Sequence, residues 1–343
     1  MYKKKHVFYV HSHITYYISM AIINEIKISE SEVLFIKSRA YENNSLDNSK
    51  CIDITDIHDS IDKIGKLDFF KTYKYIKKLD NLIDSKIPNI DFSVYLPMVR
   101  HKAMQIIASN KNCKQINIIE EGVIAYSKYF MHFKEKNVLL AIGKYIVNNF
   151  LNIGRGRFYF IKPFDIRKFI KKNQPIFYTV SNQGFKGLPF KIKKIELISD
   201  KNFSFELKGN IVMVLEGAVE QGNLGLETFI SSIEEMLRVN TQNDKKISIK
   251  FHPAQSDTNK EKIINSCKKL GIKPQNIPNH VSFEQLALKN KNLLVLGFST
   301  SLLFYARELG CKVISYEYLL LKDPLFIKYR AENNFDLQNL LKN

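Results

Sequence analysis

The sequence predicts a two-domain α/β protein in which each domain is a parallel sheet covered by helices on both faces. Three observations carry that prediction. The chain has 343 residues, more than one hydrophobic core usually serves, so two domains of about 150 residues are expected. Its 45% hydrophobic and 12% aromatic content, free of low-complexity tracts, is that of a folded globular chain. Strand-like and helix-like segments alternate twice over, on either side of a looser stretch.

The first series opens with the strand HVFYV and the helix HSHITYYISMAIINEI, whose apolar residues recur at helical spacing. Strands SEVLFIKS, KCIDIT and CKQINIIEEG follow, with helices between them; FSVYLPMVRHKAMQIIASN, around Arg100, reads as one of those helices. From Lys172 to Asn210 the pattern loosens around Pro175, Gly184, Gly187 and Pro189, which marks a junction. Alternation then restarts with strand IVMVLEG, helix LETFISSIEEMLRV, strand KISIKFHP, helix KEKIINSCKKLG, a short helix in VSFEQLAL, strand NLLVLGF, helix SLLFYARELG and strand KVISY. The expected division is a Rossmann-like domain at 1–185, a linker at 186–209, a second Rossmann-like domain at 210–315, and a C-terminal segment at 316–343 that crosses back to the first domain. Two such domains facing each other across a cleft would bind ligands at the carboxyl ends of their strands.

Charge narrows the partners. The formal net charge of +18 attracts polyanions, which leaves nucleic acid, anionic lipid or an acidic small substrate. Between Gly154 and Phe177, Arg155, Arg157, Lys162, Arg167, Lys168, Lys171 and Lys172 alternate with aromatic residues, a pattern of membrane interfaces and nucleic-acid grooves and equally of an ordinary solvated face. The four cysteines are widely spaced and suggest neither a zinc site nor a disulfide framework, and Asp53 and His58 lack a third ligand at suitable spacing, so no metal is expected. The apolar run Val7–Val10 is too short for a signal peptide, and Asn137–Leu151 is too interrupted to span a bilayer, so the expected place is the cytoplasm.

Four strand ends carry polar chemistry. Glu120-Glu121-Gly122 closes INII, where one carboxylate, raised by its like-charged neighbour, can serve as a general base, or the pair can be a plain solvated turn. His252-Pro253 ends KISIKF on a stiff backbone, placing an imidazole where it can donate to a phosphate. Ser282 and Gln285 match a capping box, with Glu284 in the first turn as a dipole partner or a ribose-binding carboxylate. Ser299, Thr300 and Ser301 open a helix whose free N–H groups can hold a phosphate without metal. Gly217, in VLEGAVEQGN, can bring backbone N–H groups to the same phosphate, while His11 and His13 follow the first strand and can contact donor or acceptor. Neither a P-loop nor a GxGxxG sequence is present, so ATP and dinucleotide chemistry are not indicated.

This order of motifs resembles the bacterial sialyltransferases of the lipopolysaccharide and capsule type, together with the bacterial polysialyltransferases. They share a D/E-D/E-G motif, an HP motif and a Ser/Thr pair. The resemblance implies a GT-B fold, with the acceptor on the N-terminal domain and CMP-sialic acid on the C-terminal one. It implies inverting transfer without metal or other cofactor. By position, Glu121 would be the base, with Glu120 the other candidate; His252 and Pro253 would meet the CMP phosphate, Glu284 the ribose, and Thr300 and Ser301 the phosphate. Glutamate stands where the family often has aspartate, which lengthens the reach by one methylene. The leading expectation is therefore a sialyltransferase acting on O-antigen, lipooligosaccharide or capsule at the inner face of the bacterial inner membrane. The alternatives are a polysialyltransferase, a transferase of another CMP-linked acidic sugar such as Kdo, and, from another class, a non-enzymatic nucleic-acid- or membrane-binding protein. Glycerol-phosphate or phosphocholine transfer from a CDP-linked donor is a third possibility.

Overall fold

The computed structural model describes residues 4–39, 41–43, 45–63, 69–97, 101–126, 174–188, 190–241 and 245–333, with residues 132–133, 139, 143, 146, 164–165 and 341 besides. The basic aromatic stretch from Gly154 and the apolar run from Asn137 therefore lie almost wholly outside the described residues. The chain divides into two compact units, Met1–Ile198 and Ser199–Asn343.

The first unit runs β1 (Lys5–Val10), α1 (His13–Glu25), β2 (Val33–Lys37), β3 (Cys51–Asp53), α2 (Thr55–Asp62), α3 (Phe69–Lys86), β4 (Phe92–Leu96), α4 (Lys102–Ala108) and β5 (Cys113–Ile119). A two-residue pair β6 (His132–Phe133) and β7 (Phe164–Asp165) follows, then β8 (Ile176–Thr179) and β9 (Lys191–Lys194). The seven-stranded sheet has the order β3-β2-β1-β4-β5-β8-β9, parallel throughout. Val7, Tyr9, Val94, Leu96, Ile116 and Ile118 from its middle strands are buried in one core with Ile61, Leu79 and Met104 from the helices.

Two segments differ from the sequence expectation. Phe92–Leu96 is β4 in the centre of the sheet, and the helix read across it starts only at Lys102. Every residue of β4 is buried, so it lacks the alternation that distinguishes a strand from a buried helix. Pro97 ends it. Lys191–Lys194, inside the loosened stretch, is β9, a lysine-rich edge strand; charge on an edge discourages pairing with other chains.

The second unit runs β10 (Ile211–Val214), α5 (Leu226–Asn240), β11 (Ile247–Lys250), α6 (Asp257–Lys269), β12 (Gln275–Ile277), α7 (Phe283–Lys289), β13 (Leu294–Gly297), α8 (Ser301–Glu308), β14 (Lys312–Ser315), α9 (Glu317–Leu320) and α10 (Pro324–Asn333). Its sheet is parallel in the order β12-β11-β10-β13-β14. Phe326 of α10 is buried in this unit's own core with Phe229, Met236, Leu296 and Phe298, so the described part of the C-terminal segment packs where it arises. Both sheets follow the doubly wound order 3-2-1-4-5, which reverses direction beside its first strand and opens a ligand crevice at the carboxyl edge.

Candidate active site

In the first unit, three strand ends converge on Glu121. His11 follows β1 directly, and its backbone N–H donates to Thr15 Oγ1 in the first turn of α1, 3.2 Å away. Ser12 caps that helix. Ser38, after β2, donates its N–H to Val10 O, which extends the parallel pairing and brings Arg39 alongside. Arg39 is in the left-handed region (φ 57°), unusual for a residue with a β-carbon. Gly122 also has positive φ (55°), the sharp turn its identity suggested.

The carboxylate of Glu121 meets His11 and Arg39 at one oxygen: His11 Nε2 lies 2.5 Å from Oε1 and Arg39 Nη1 3.4 Å from it. Oε2 is buried without a hydrogen-bond partner among the described residues. Burial by itself raises the carboxyl, but the attraction of His11 and Arg39 outweighs it and holds Glu121 below the usual glutamate range.

Glu120 goes elsewhere. Successive residues of an extended chain point to opposite sides, and Glu120, fully buried, accepts from Thr179 Oγ1 at 2.5 Å and from the Val180 N–H at 2.9 Å. It ties β5 to β8. Glu121 is therefore not the acid raised by its neighbour: His11 and Arg39 hold it down. His13 lies against Tyr41, with Nδ1 3.3 Å from the phenol oxygen.

In the second unit, His252 is held from both sides of the turn after β11. Its N–H donates to Gln255 Oε1 at 2.8 Å, and its Nδ1 accepts the Ala254 N–H at 3.1 Å. A ring that accepts at Nδ1 keeps its single proton on Nε2, so the neutral imidazole is a donor there. Burial lowers its pKa, against the opposite pull of Glu220. Gly217 passes close to this ring: a β-carbon there would lie 2.7 Å from Nδ1, so the backbone reaches His252 only as glycine.

Ser282 caps α7 and donates to Glu284 Oε2 at 2.7 Å; Glu284 is buried. The Gln half of the expected capping box serves another purpose, since Gln285 Oε1 accepts the Asp200 N–H. Lys250, which the sequence did not single out, donates to Pro278 O, Asn279 O and Val281 O and so pins the loop that leads into α7. Its burial pushes its pKa down to about 8, opposed by the charge of Glu284.

The hydroxyl cluster divides. Thr300 caps α8 by accepting the Leu302 N–H, and Ser301 is the first helical residue. Ser299 donates to Glu317 Oε1 at 3.1 Å, which commits it to a carboxylate rather than to a phosphate. Glu216, just past β10, joins that acid: burial first, then Glu317, push its carboxyl up to about 8, while the Ser299 backbone amide acts in the opposite direction. This acid pair gave no sign in the sequence beyond a glutamate in VLEG. Among the described residues no group of three His, Cys, Asp or Glu side chains could hold a metal, and no helix is long and apolar enough to cross a membrane.

Residues 41–317 match the family model for alpha-2,8-polysialyltransferase (POLYST). The chain belongs to that family. It is thus a glycosyltransferase of the sialyltransferase kind, and its matched span contains Glu121, His252, Glu284 and the 299–301 hydroxyls. No curated protein sequence is similar enough to count as a relative. Among solved structures, a protein described as a UDP-N-acetylglucosamine 2-epimerase from Listeria monocytogenes is 14% identical, with 92% of this chain and 79% of that one covered at a TM-score of 0.51. A sialyltransferase from Photobacterium damsela is 12% identical, covering 96% of this chain and 79% of that one at a TM-score of 0.47. Likeness at such identity concerns the fold alone, which is GT-B-like with two parallel α/β sheets.

Proposed function

We propose that this polysialyltransferase-family enzyme takes sialic acid from CMP-sialic acid and adds it to the end of an α2,8-linked sialic acid chain, with inversion and without metal. The observation that carries the reading is the family match across 41–317, which favours chain extension over a single transfer to lipooligosaccharide. In the proposed step the acceptor hydroxyl bonds to the anomeric carbon as that carbon's bond to phosphate breaks, and the hydroxyl proton passes to the Glu121 carboxylate. The CMP phosphate keeps the electron pair of the broken bond. His252 Nε2–H, Thr300, Ser301 and the N-terminus of α8 are suited to hold that charge, with Pro253 and Gly217 fixing the ring, and Glu284 to hold the ribose. A chain with one carboxylate per sugar is a polyanion, so the +18 charge favours its capture and also a peripheral place at the anionic inner face of a bacterial membrane.

The test is incubation with CMP-sialic acid and a fluorescent α2,8-linked sialic acid oligomer, with CMP release and product length followed with and without EDTA. Ladders of longer oligomers unaffected by the chelator are expected. Addition of one residue only, or a preference for lactose-ended acceptors or CMP-Kdo, would replace the polymer reading by its relatives within the class. Salt-sensitive binding without turnover would remove it from the enzymes.

A further inference from the structure

We infer that His11 is the positioning residue of the base: its Nε2–H holds Glu121 Oε1 and fixes the carboxylate at the end of β5. The inference rests on Glu121 being the base. His11 lies before the residues that match the family model, so the family match does not supply it.

Three observations support it. The imidazole is nearly inaccessible, at 2% side-chain exposure, and only 2.5 Å from Oε1, so it is a fixed partner rather than a surface counter-ion. Its backbone is fixed by the N–H bond to Thr15 Oγ1, and its ring lies edge-on to the buried Tyr9. Its Nδ1 is buried with no partner among the described residues. An imidazolium would leave an N–H stranded at that atom, whereas a neutral ring with its proton on Nε2 leaves only a lone pair, so donation to Glu121 is the tautomer this pocket accommodates. The groups facing Glu121 are His11 from the end of β1 and Arg39 from the end of β2; Arg39 contacts the same oxygen at the longer 3.4 Å and is 42% exposed. The other near acid, Glu120, is turned to β8. Both donors thus converge on Oε1, and the carboxylate cannot rotate without breaking the shorter contact.

The test measures transfer from CMP-sialic acid to the fluorescent sialic acid oligomer as a function of pH for wild type, Glu121→Gln, His11→Ala and His11→Gln. CMP affinity and thermal melting serve as checks of folding. His11→Ala should lower kcat on the order of tenfold to a hundredfold, the scale of a misplaced catalytic group. Its acid limb should move to higher pH, because burial remains after the lowering partner is removed. His11→Gln places an amide N–H near the Nε2 position and should restore most of the rate. Glu121→Gln should lose about 10²–10⁴-fold of the rate. An unmoved acid limb in a folded His11→Ala enzyme overturns the inference even while Glu121→Gln shows that loss. Failure of His11→Gln to recover any rate overturns it too, since the titrating ring and not its donor would then matter. Full activity of Glu121→Gln overturns the base assignment itself, and the inference with it.

Discussion

The two sheets share a strand order, and each places a glutamate two residues beyond its fifth strand in that order: Glu121 after β5 and Glu317 after β14. In each unit the partner comes from just past the first strand. In the first unit it is His11 and the carboxyl of Glu121 is drawn down; in the second it is Glu216, which burial first and then Glu317 push up to about 8. The two units thus treat a buried glutamate in opposite ways: His11 and Arg39 draw Glu121 down, whereas burial and a second acid push Glu216 up.

The comparison is broken most severely by removing its ionised member. Glu121→Gln should reduce transfer about 10²–10⁴-fold, the usual contribution of a general base, while CMP binding measured by calorimetry stays near wild type. Retained transfer would assign the proton to another group. Next is His252→Ala, which removes the Nε2 donor and should weaken both CMP affinity and kcat, by about a hundredfold in kcat for one lost charge-stabilising donor. Gly217→Ala should have a smaller effect of the same kind, about tenfold for a modest misplacement, because the new β-carbon would stand 2.7 Å from Nδ1 and must push the ring aside. If Gly217→Ala leaves CMP affinity and kcat unchanged, the imbalance between a rigid imidazole and a mobile one does not matter for catalysis.

Much of this framework was legible in the sequence. The alternation of elements, the turn at Gly122, the stiff end of β11 at Pro253 and the cap of α7 at Ser282 are all local properties, written within a few residues of where they act. What was not legible is pairing across distance. His11 and Glu121 are 110 positions apart and meet only because β1 and β5 lie in one sheet. The hydroxyl of Ser299 looks identical in sequence to those of Thr300 and Ser301, yet Glu317, brought in by α9, claims it. For the same reason two neighbouring acids read as a coupled pair, whereas the pleat sends Glu120 to Thr179 and Glu121 to His11. β4 was hidden differently: burial on both faces erases the period that would have marked it.

The mildest substitution sharpens the comparison from the second unit. Burial and Glu317 push the Glu216 carboxyl up to about 8 in the folded protein against an ordinary 4.5, so between those values the native state holds a proton that the unfolded chain releases. Stability contributed by this group is therefore lost as pH rises from 4.5 towards 8. A glutamine cannot ionise, and Glu216→Gln should leave melting at pH 5 almost unchanged while raising it at pH 8.5, by an amount on the order of a few kcal/mol in linkage. The two proteins would then show converging melting temperatures at low pH and diverging ones at high pH. Parallel curves would mean that Glu216 is already ionised beside Glu317, and that the two glutamate sites are not opposites but two versions of the same anion.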